Sequence, residues 1–440
     1  MKEAKTSKNM SMGLLRVMER ARKEPQGKMR SLAHHIDEEA LERAFGRIRK
    51  DGAAGVDGVT KKEYGENLKD NLSGLHDRLK AMKYRHQSIR RVQIPKGNGK
   101  ERPIGISTIE DKIVQGALRE TLEAVYEQDF LNCSFGFRPG RSAHDAIKAL
   151  NLSIRYGEAN WILEADIESF FDNVDRPALQ EILGERIDDK SLLRLIGKCL
   201  HVGILDGGEF TIPEEGTTQG SILSPLLGNI YLHKAIDQWF ADEVKPRMRG
   251  RSCFVRYADD LLFGFERLED AERVMKVLGK RLERFSLKLA TDKTRLVDFR
   301  RPPKTQKKGK GPGTFDFLGF THYWRRSRAG KWSPAWKTRT KSLQKAVLSI
   351  QLWCKTNLHL AIPIQQIALT RRLRGHFNYF GVNGNLRCLS MLLEKVKRSW
   401  FRWLRRRSQR SRMTWERFNE ILKEFPLPQV KVYKNLWITP

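Results

Sequence analysis

The run Phe254-Val255-Arg256-Tyr257-Ala258-Asp259-Asp260-Leu261-Leu262-Phe263-Gly264-Phe265 narrows the possible folds more than any other stretch of the chain. Two apolar, β-prone segments flank two adjacent carboxylates, the pattern of a hairpin that buries its strands and holds the acids at its tip. Adjacent aspartates repel each other at neutral pH and are best tolerated with a divalent cation between them. Asp-Asp is also ordinary in turns and helix N-caps, so the dipeptide alone leaves a plain turn open. The flanking strands favour the cation.

A second segment supplies a third acid. Trp161-Ile162-Leu163-Glu164-Ala165-Asp166-Ile167-Glu168-Ser169-Phe170-Phe171-Asp172 reads as a strand that ends in a carboxylate and turns into an aromatic pair. Three carboxylates from two elements suit a pair of Mg²⁺ ions about 4 Å apart, clamping an attacking 3′ hydroxyl and a triphosphate leaving group. Phosphoryl transfer asks mainly for such positioning and charge neutralisation. Between these segments, Glu215 to Gly220 is a small-residue loop that leads into a helix, with Pro225 near its first turn. Gln219 in that loop can hydrogen-bond a flat ligand, although the stretch by itself is a capped helix.

Charge points to the partner. The 440 residues carry 83 Lys and Arg against 52 Asp and Glu, a formal charge of +31 that calls for a polyanion. Residues 301 to 440 hold 31 basic and 5 acidic side chains, net +26, and the first 300 hold 52 and 47, net +5. The grip on nucleic acid is therefore expected at the C-terminal end. Residues 101 to 250 reverse the balance, with 16 basic and 25 acidic side chains. That acidic island suits cation binding, or else is a set of solvated acidic helices. Five cysteines with no close pair suggest neither a zinc site nor a disulfide framework. No apolar run of about 18 residues suggests a membrane span. The Lys-bearing start lacks the apolar core of a secretory signal, so a cytoplasmic chain is expected and an organellar transit peptide stays open.

Length allows two or three domains. Residues 1 to about 90 read as mostly helical, with Leu41, Phe45 and Ile48 at helical spacing and a glycine-rich turn from Asp51 to Gly58. They form a front piece expected to pack on the core that begins near Arg90. From Arg90 to Phe320 β-prone runs (Val92 to Pro95, Trp161 to Ile167, Phe254 to Phe265, Arg295 to Phe299, Phe315 to Phe320) alternate with helices, the pattern of an α+β core. Arg301 to Gly313 reads as a linker, and helices bearing Arg, Lys and Trp together are expected beyond Thr321.

Taken together, these segments resemble the palm motifs of reverse transcriptases, with Tyr257-Ala258-Asp259-Asp260 as the signature tetrad. Ile94 to Ile106, with Lys96-Gly97-Asn98-Gly99-Lys100 at its centre, is similar to the fingers hairpin of that family, and Ser134-Phe135-Gly136-Phe137-Arg138-Pro139-Gly140-Arg141-Ser142 to the next block of the family. Asp292-Lys293-Thr294 and Phe317-Leu318-Gly319-Phe320 resemble the last two blocks. The likeness is specifically to group II intron reverse transcriptases, or maturases, and covers nearly the whole chain. It implies a right-hand polymerase of α+β class, fingers and palm with an antiparallel sheet followed by an α-helical thumb. The implied domains are an N-terminal extension and the start of the fingers over 1–90, fingers and palm over 91–320, a helical thumb or maturase domain over 321–395 and a basic nucleic-acid-binding region over 396–440.

The resemblance also implies roles. Asp166 and Asp259 would bind both metal ions, with Asp260 completing the triad and the carbonyl of Ile167 adding a ligand. Phe171 falls at the steric gate against a ribose 2′ hydroxyl, Gln219 touches the incoming nucleotide, and Lys96 and Arg102 hold its triphosphate. Lys293 falls where the family places a proton donor to the departing pyrophosphate. The expected cofactor is Mg²⁺, two ions, with Mn²⁺ as a substitute. Expected partners are a group II intron RNA, an RNA template with a DNA primer, deoxynucleoside triphosphates and target DNA, with no membrane. Ser107 and Thr218 stand where the family usually has proline; neither change removes a functional group. The tail segments Arg371-Arg372-Leu373-Arg374-Gly375-His376 and Trp400-Phe401-Arg402-Trp403-Leu404-Arg405-Arg406-Arg407 interleave cations with aromatics, as phosphate pairing plus base stacking requires. The first resembles the maturase domain and the second the basic region after it; Trp400, Phe401 and Leu404 at helical spacing also read as core. The family's optional HNH endonuclease is expected to be absent, for want of closely spaced cysteines. Two other readings remain: a polymerase recruited to defence or repair, and an RNA-binding splicing factor without polymerisation.

Overall fold

The computed structural model describes residues 10–95, 101–206, 209–211, 216, 220–303, 312–327, 329–408 and 413–437. They form a mixed α+β chain in two compact units, Met1–Ala146 with Leu163–Phe263 and Leu268–Arg295, and Ile147–Ile162 with Gly264–Arg267 and Leu296–Pro440.

In the first unit, local signals start the helices. Ser11 accepts a hydrogen bond from the Leu14 amide and opens Met12–Lys23, Asp37 does the same for Glu38–Arg47, and Thr60 with Glu63 forms a reciprocal capping box for Lys61–Glu66. The helix Ile109–Asp129 is buried along most of its length, and both Met12–Lys23 and Glu38–Arg47 pack on it, as expected of the front piece. Burying the Glu120 carboxylate there would be costly alone; Arg43 and Arg47 reach it at 3.4 and 3.0 Å.

Two sheets frame this unit. Ile89–Pro95 pairs antiparallel with Glu101–Ile106, from Arg90 opposite Ile106 to Pro95 opposite Glu101, and its other edge takes Ile204–Asp206 in parallel. The second sheet sets Ser252–Tyr257 beside Asp260–Phe265, and Asp260–Phe265 beside Trp161–Ala165. Its strands are nearly continuous apolar runs because both faces are covered: Leu163, Phe254, Val255 and Phe263 are all buried. The helix Ser224–Leu232 begins with Pro225 in its first turn and runs on through π-helical turns, His233–Asp237 and Trp239–Val244.

The second unit corrects one expectation. Phe320–Arg326 and Trp332–Thr338 are antiparallel strands, so helices begin only at Thr340. The reason is periodicity of two: Phe320, His322 and Trp324 are buried while Thr321, Tyr323 and Arg325 are not. Interleaved Arg and Trp look alike in both structures until that alternation is counted. Four helices follow, Thr340–Thr356, Ile362–Phe380, Leu386–Arg405 and Trp415–Glu424, around a core that includes Leu369, Phe377, Leu392, Trp400, Leu404 and Phe418. The buried Trp400 indole donates to Gln365 at 2.8 Å, and Gln365 in turn donates to the Leu360 carbonyl at 2.8 Å. Trp400 and Leu404 are therefore core, and Phe401 stacks on Trp415 at 4.1 Å. None of the five cysteines forms a disulfide, and no described helix is long and apolar enough to cross a membrane.

Candidate active site

Adjacent strands bring the acids forward. Asp166 directly follows Trp161–Ala165, Asp259 lies in the two-residue turn after Ser252–Tyr257, and Asp260 opens the next strand. Asp166 is anchored by its carbonyl, which accepts from the Ala290 amide at 2.8 Å, and the neighbouring Ile167 is bridged to Leu289. The Lys293 ammonium donates to the Asp166 carboxylate at 2.6 Å. That hydrogen bond is the main cause of a raised Lys293 pKa; burial opposes it, and the charges of Asp166, Asp292 and Asp259 add to it. Lys293 thus stands in the field of two of the three acids, as a cation with its proton held firmly.

The turn is held from beneath by a charge no solvent reaches. Arg256 is fully buried and donates to Asp237 at 2.7 and 2.6 Å, to Asn229 at 2.8 Å, to Ser134 at 2.8 Å and to the carbonyl of Ala258 at 3.1 Å. Burial alone would raise the Asp237 carboxyl; the Arg256 guanidinium, with the His233 ring 3.6 Å away, holds it below the ordinary aspartate value. Asn229 also donates to the Gly136 carbonyl at 2.7 Å. Residues 133–135 run along the strand edge, with the Phe135 amide donating to Arg256 O at 2.9 Å and the Arg256 amide to Cys133 O at 2.8 Å. Ala258 takes φ of 56°, which fits the first central position of a type II′ hairpin turn. A Cβ on Gly136 would overlap the Ala258 amide nitrogen and lie 3.0 Å from the Tyr257 carbonyl carbon. Only glycine lets that backbone lie against the turn.

The aromatic pair follows Asp166 in a tight turn, Phe170–Asp172, entered through Ser169 at φ 41°. Phe170 is buried and Phe171 half-buried, with the rings edge to face at 5.1 Å. Gly216, at φ 85°, sits on the carbonyls of Phe171 and Asp172, where a Cβ would fall 2.6 Å from Asp172 O. Its own carbonyl accepts from buried Arg176 at 2.9 Å. Gln115 receives hydrogen bonds from Ser221 Oγ and the Ile222 amide, both at 3.1 Å. Lys96 and Gln219 lie outside the described residues, and of Arg102 only the backbone is described, opposite Ile94.

The tail cations divide by environment. Arg371, Arg374, Arg402 and Arg405 are exposed. Arg372 stacks over Trp353 at 4.7 Å, and Arg406 over Trp403 at 5.3 Å. Arg407 donates to the carbonyls of Leu358 at 2.7 Å and His359 at 3.1 Å, and to that of Leu360. The His376 ring packs on Phe380 at 4.5 Å, and burial lowers its pKa to about 4, so near neutrality it adds no charge.

The family model described as "Reverse transcriptase (RNA-dependent DNA polymerase)" matches residues 94–322, more than half of the chain and the whole span that carries these acids. The chain belongs to the reverse transcriptase family. This reverse transcriptase is 36% identical over 236 residues to "Protein YkfC" of Escherichia coli strain K12, covering 47% of the chain and 62% of that protein. It is 42% identical over 170 residues to "Group II intron-encoded protein LtrA" of Lactococcus lactis subsp. cremoris, covering 38% of the chain and 27% of the relative. With "Nuclear intron maturase 4, mitochondrial" of Arabidopsis thaliana it shares 27% identity over 164 residues, 34% of the chain and 20% of the relative. The reverse transcriptase thus spans under two thirds of each of these relatives. Sequence reasoning gave no role to Arg256, Asn229, Asp237, Gly136 or Gln115. A visible signal existed for two of them, since Arg256 and Asp237 are charges set inside apolar runs.

Proposed function

We propose that the chain is an RNA-directed DNA polymerase of the group II intron kind, which binds an intron RNA, assists its splicing and copies it into cDNA on a DNA primer or at target DNA. The observation that carries this reading is the placing of Asp166, Asp259 and Asp260 on neighbouring strands, with the Lys293 ammonium 2.6 Å from Asp166. In this reading the two sheets and their helices are fingers and palm of a right-hand polymerase, and the helices from Thr340 are its thumb.

The donor set suits Mg²⁺, or Mn²⁺ in its place, because hard divalent cations take carboxylate and carbonyl oxygens. Among the described residues no three metal-binding side chains stand close enough together to hold an ion as they are. Asp166, Asp259, Asp260 and the carbonyl of Ile167 are the residues that would hold it, with Lys293 supplying countercharge to Asp166 meanwhile. When bound, the ions supply charge neutralisation at the transferred phosphoryl group. The chain's own groups do the rest: Phe171 excludes a ribose 2′ hydroxyl, Lys96, Arg102 and Gln219 hold the nucleotide, and Lys293 carries the proton for the departing pyrophosphate. Arg371, Arg372, Arg374, Arg402, Arg405 and Arg406 face the RNA.

The test is Asp259→Asn, which keeps shape and removes one charge. Primer extension on an RNA template is expected to fall at least a thousandfold, while splicing of the cognate intron is retained; wild-type extension by this variant ends the polymerase reading. The Escherichia coli relative, matched over more of the chain than the two intron proteins, has no intron in its name. That favours, as a second reading, a polymerase serving another role, and a wild-type protein to which no group II intron RNA responds would select it.

A further inference from the structure

A concavity of about 340 Å³ opens in the first unit, between the turns Trp239–Val244 and the helix Leu268–Glu283, and its lining includes no residue assigned a role in polymerisation or in the tail. Arg247, Arg273, Lys280, Arg281 and Arg284 line it against a single acid, Glu243. The first 300 residues hold cations and acids at 52 to 47, so five to one is a concentration and not the local average.

Its cations are differently committed. Arg281 is half-buried and structural: it donates to the carbonyls of Ala235 at 2.8 Å and Lys234 at 3.2 Å and stacks on Phe285 at 4.8 Å. Arg273 reaches Asp270 only at 3.9 Å, and that carboxylate already accepts from the Gly250 amide at 2.9 Å. Arg247, Lys280 and Arg284 are exposed, and their side chains make no hydrogen bond or ion pair with another described residue. Arg273, Lys280 and Arg284 recur at seven and four residues, hence on one face. Like charges gathered without partners repel and favour a polyanion. The floor between them is apolar, formed by Val244, Val274 and the exposed Val277.

We propose that this concavity is a second RNA contact, in which one unpaired nucleotide lies over the apolar floor and its flanking phosphates meet Arg247, Arg273, Lys280 and Arg284. Cations beside an apolar lining that includes the Trp239 ring match both parts of an unpaired nucleotide, its anion and its flat base. The volume lies at the small end of the range for ligand pockets, about 300 to 1,000 Å³, which suits one nucleotide and not a duplex. This inference rests on the proposed RNA-binding function and adds a site outside the tail.

The variant R247A/K280A/R284A removes the three cations without protein partners. Binding of a short single-stranded RNA is expected to weaken at least tenfold at fixed low salt. The slope of log K against log salt should flatten by about one, since each phosphate contact on a single strand contributes about 0.7 and one nucleotide has two flanking phosphates. Extension of a short primed template should stay at the wild-type rate. The charge-keeping variant R247K/R284K should regain most of the affinity, which separates charge from fold. Unchanged affinity and slope in the alanine variant overturns the site, as does an equal loss for a blunt RNA duplex, or adenosine monophosphate held as tightly as RNA. A wild-type protein that binds no RNA would instead overturn the reading on which this one rests.

Discussion

At the scale of single residues, the turn that carries Asp259 is set by buried neighbours beneath it. Asp259 can stand in a two-residue turn because Arg256 ties the Ala258 carbonyl from below and Gly136 lies flat against the turn. Gly136→Ala puts a methyl group into the Ala258 backbone, and the cheapest relief is to move the turn. A shift of about 1 Å at a reacting centre can cost about a hundredfold in rate. Extension by Gly136→Ala is therefore expected to fall by about that factor, with circular dichroism unchanged; a wild-type rate would show that the turn tolerates the displacement. Asp166, Asp259 and Asp260 stand out in the sequence by the β-prone runs that flank them. Gly136 was legible only as part of a motif, because its reason for being glycine is a backbone more than a hundred residues later in the chain.

At the scale of elements, the ribbon Phe320–Arg326 with Trp332–Thr338 is the part that the sequence reading placed in helix. Its alternation turns His322 inward, where it stacks on Phe315 at 4.7 Å and burial lowers its pKa to about 3. The folded value lies below the unfolded one, so between the two the unfolded chain binds the extra proton. Stability is then complete above the ordinary histidine pKa near 6.5 and is lost as pH falls toward about 3. The slope is about 1.4 kcal/mol per pH unit for one such group. Denaturant midpoints of wild type and His322→Asn between pH 7 and 4 check this: the variant should lose less stability on acidification. Parallel curves would mean that the histidine is not held neutral. His376, lowered to about 4, adds to the same decline.

At the scale of the whole molecule, charge is divided along the length, with net +26 on residues 301 to 440 and net +5 on the remainder, and under the proposed function this parts grip from chemistry. Arg371 and Arg374 lie exposed on one helix, so R371E/R374E should weaken RNA binding more than tenfold at low salt. It should also impair intron splicing more than extension of a short primed template, because Asp166, Asp259 and Asp260 are untouched. Salt titrations of this variant and of R247A/K280A/R284A measure the two surfaces separately; equal splicing by R371E/R374E and wild type would remove the tail from the RNA contact. What the sequence by itself determined is whatever local order encodes: the hairpin with two acids at its tip, the strand ending in Asp166, the proline-opened helix after Gly220 and the asymmetry of charge. Tertiary structure alone decided which cations are free for a ligand and which are spent on the protein, because that depends on partners distant in sequence. Arg256 is committed to Asp237, Arg281 to the Lys234 and Ala235 carbonyls and Arg407 to those of Leu358 and His359, whereas Arg247, Lys280 and Arg284 converge on one concavity. In the sequence all six are simply basic residues; desolvation and hydrogen-bond geometry, which exist only once the chain has folded, tell them apart.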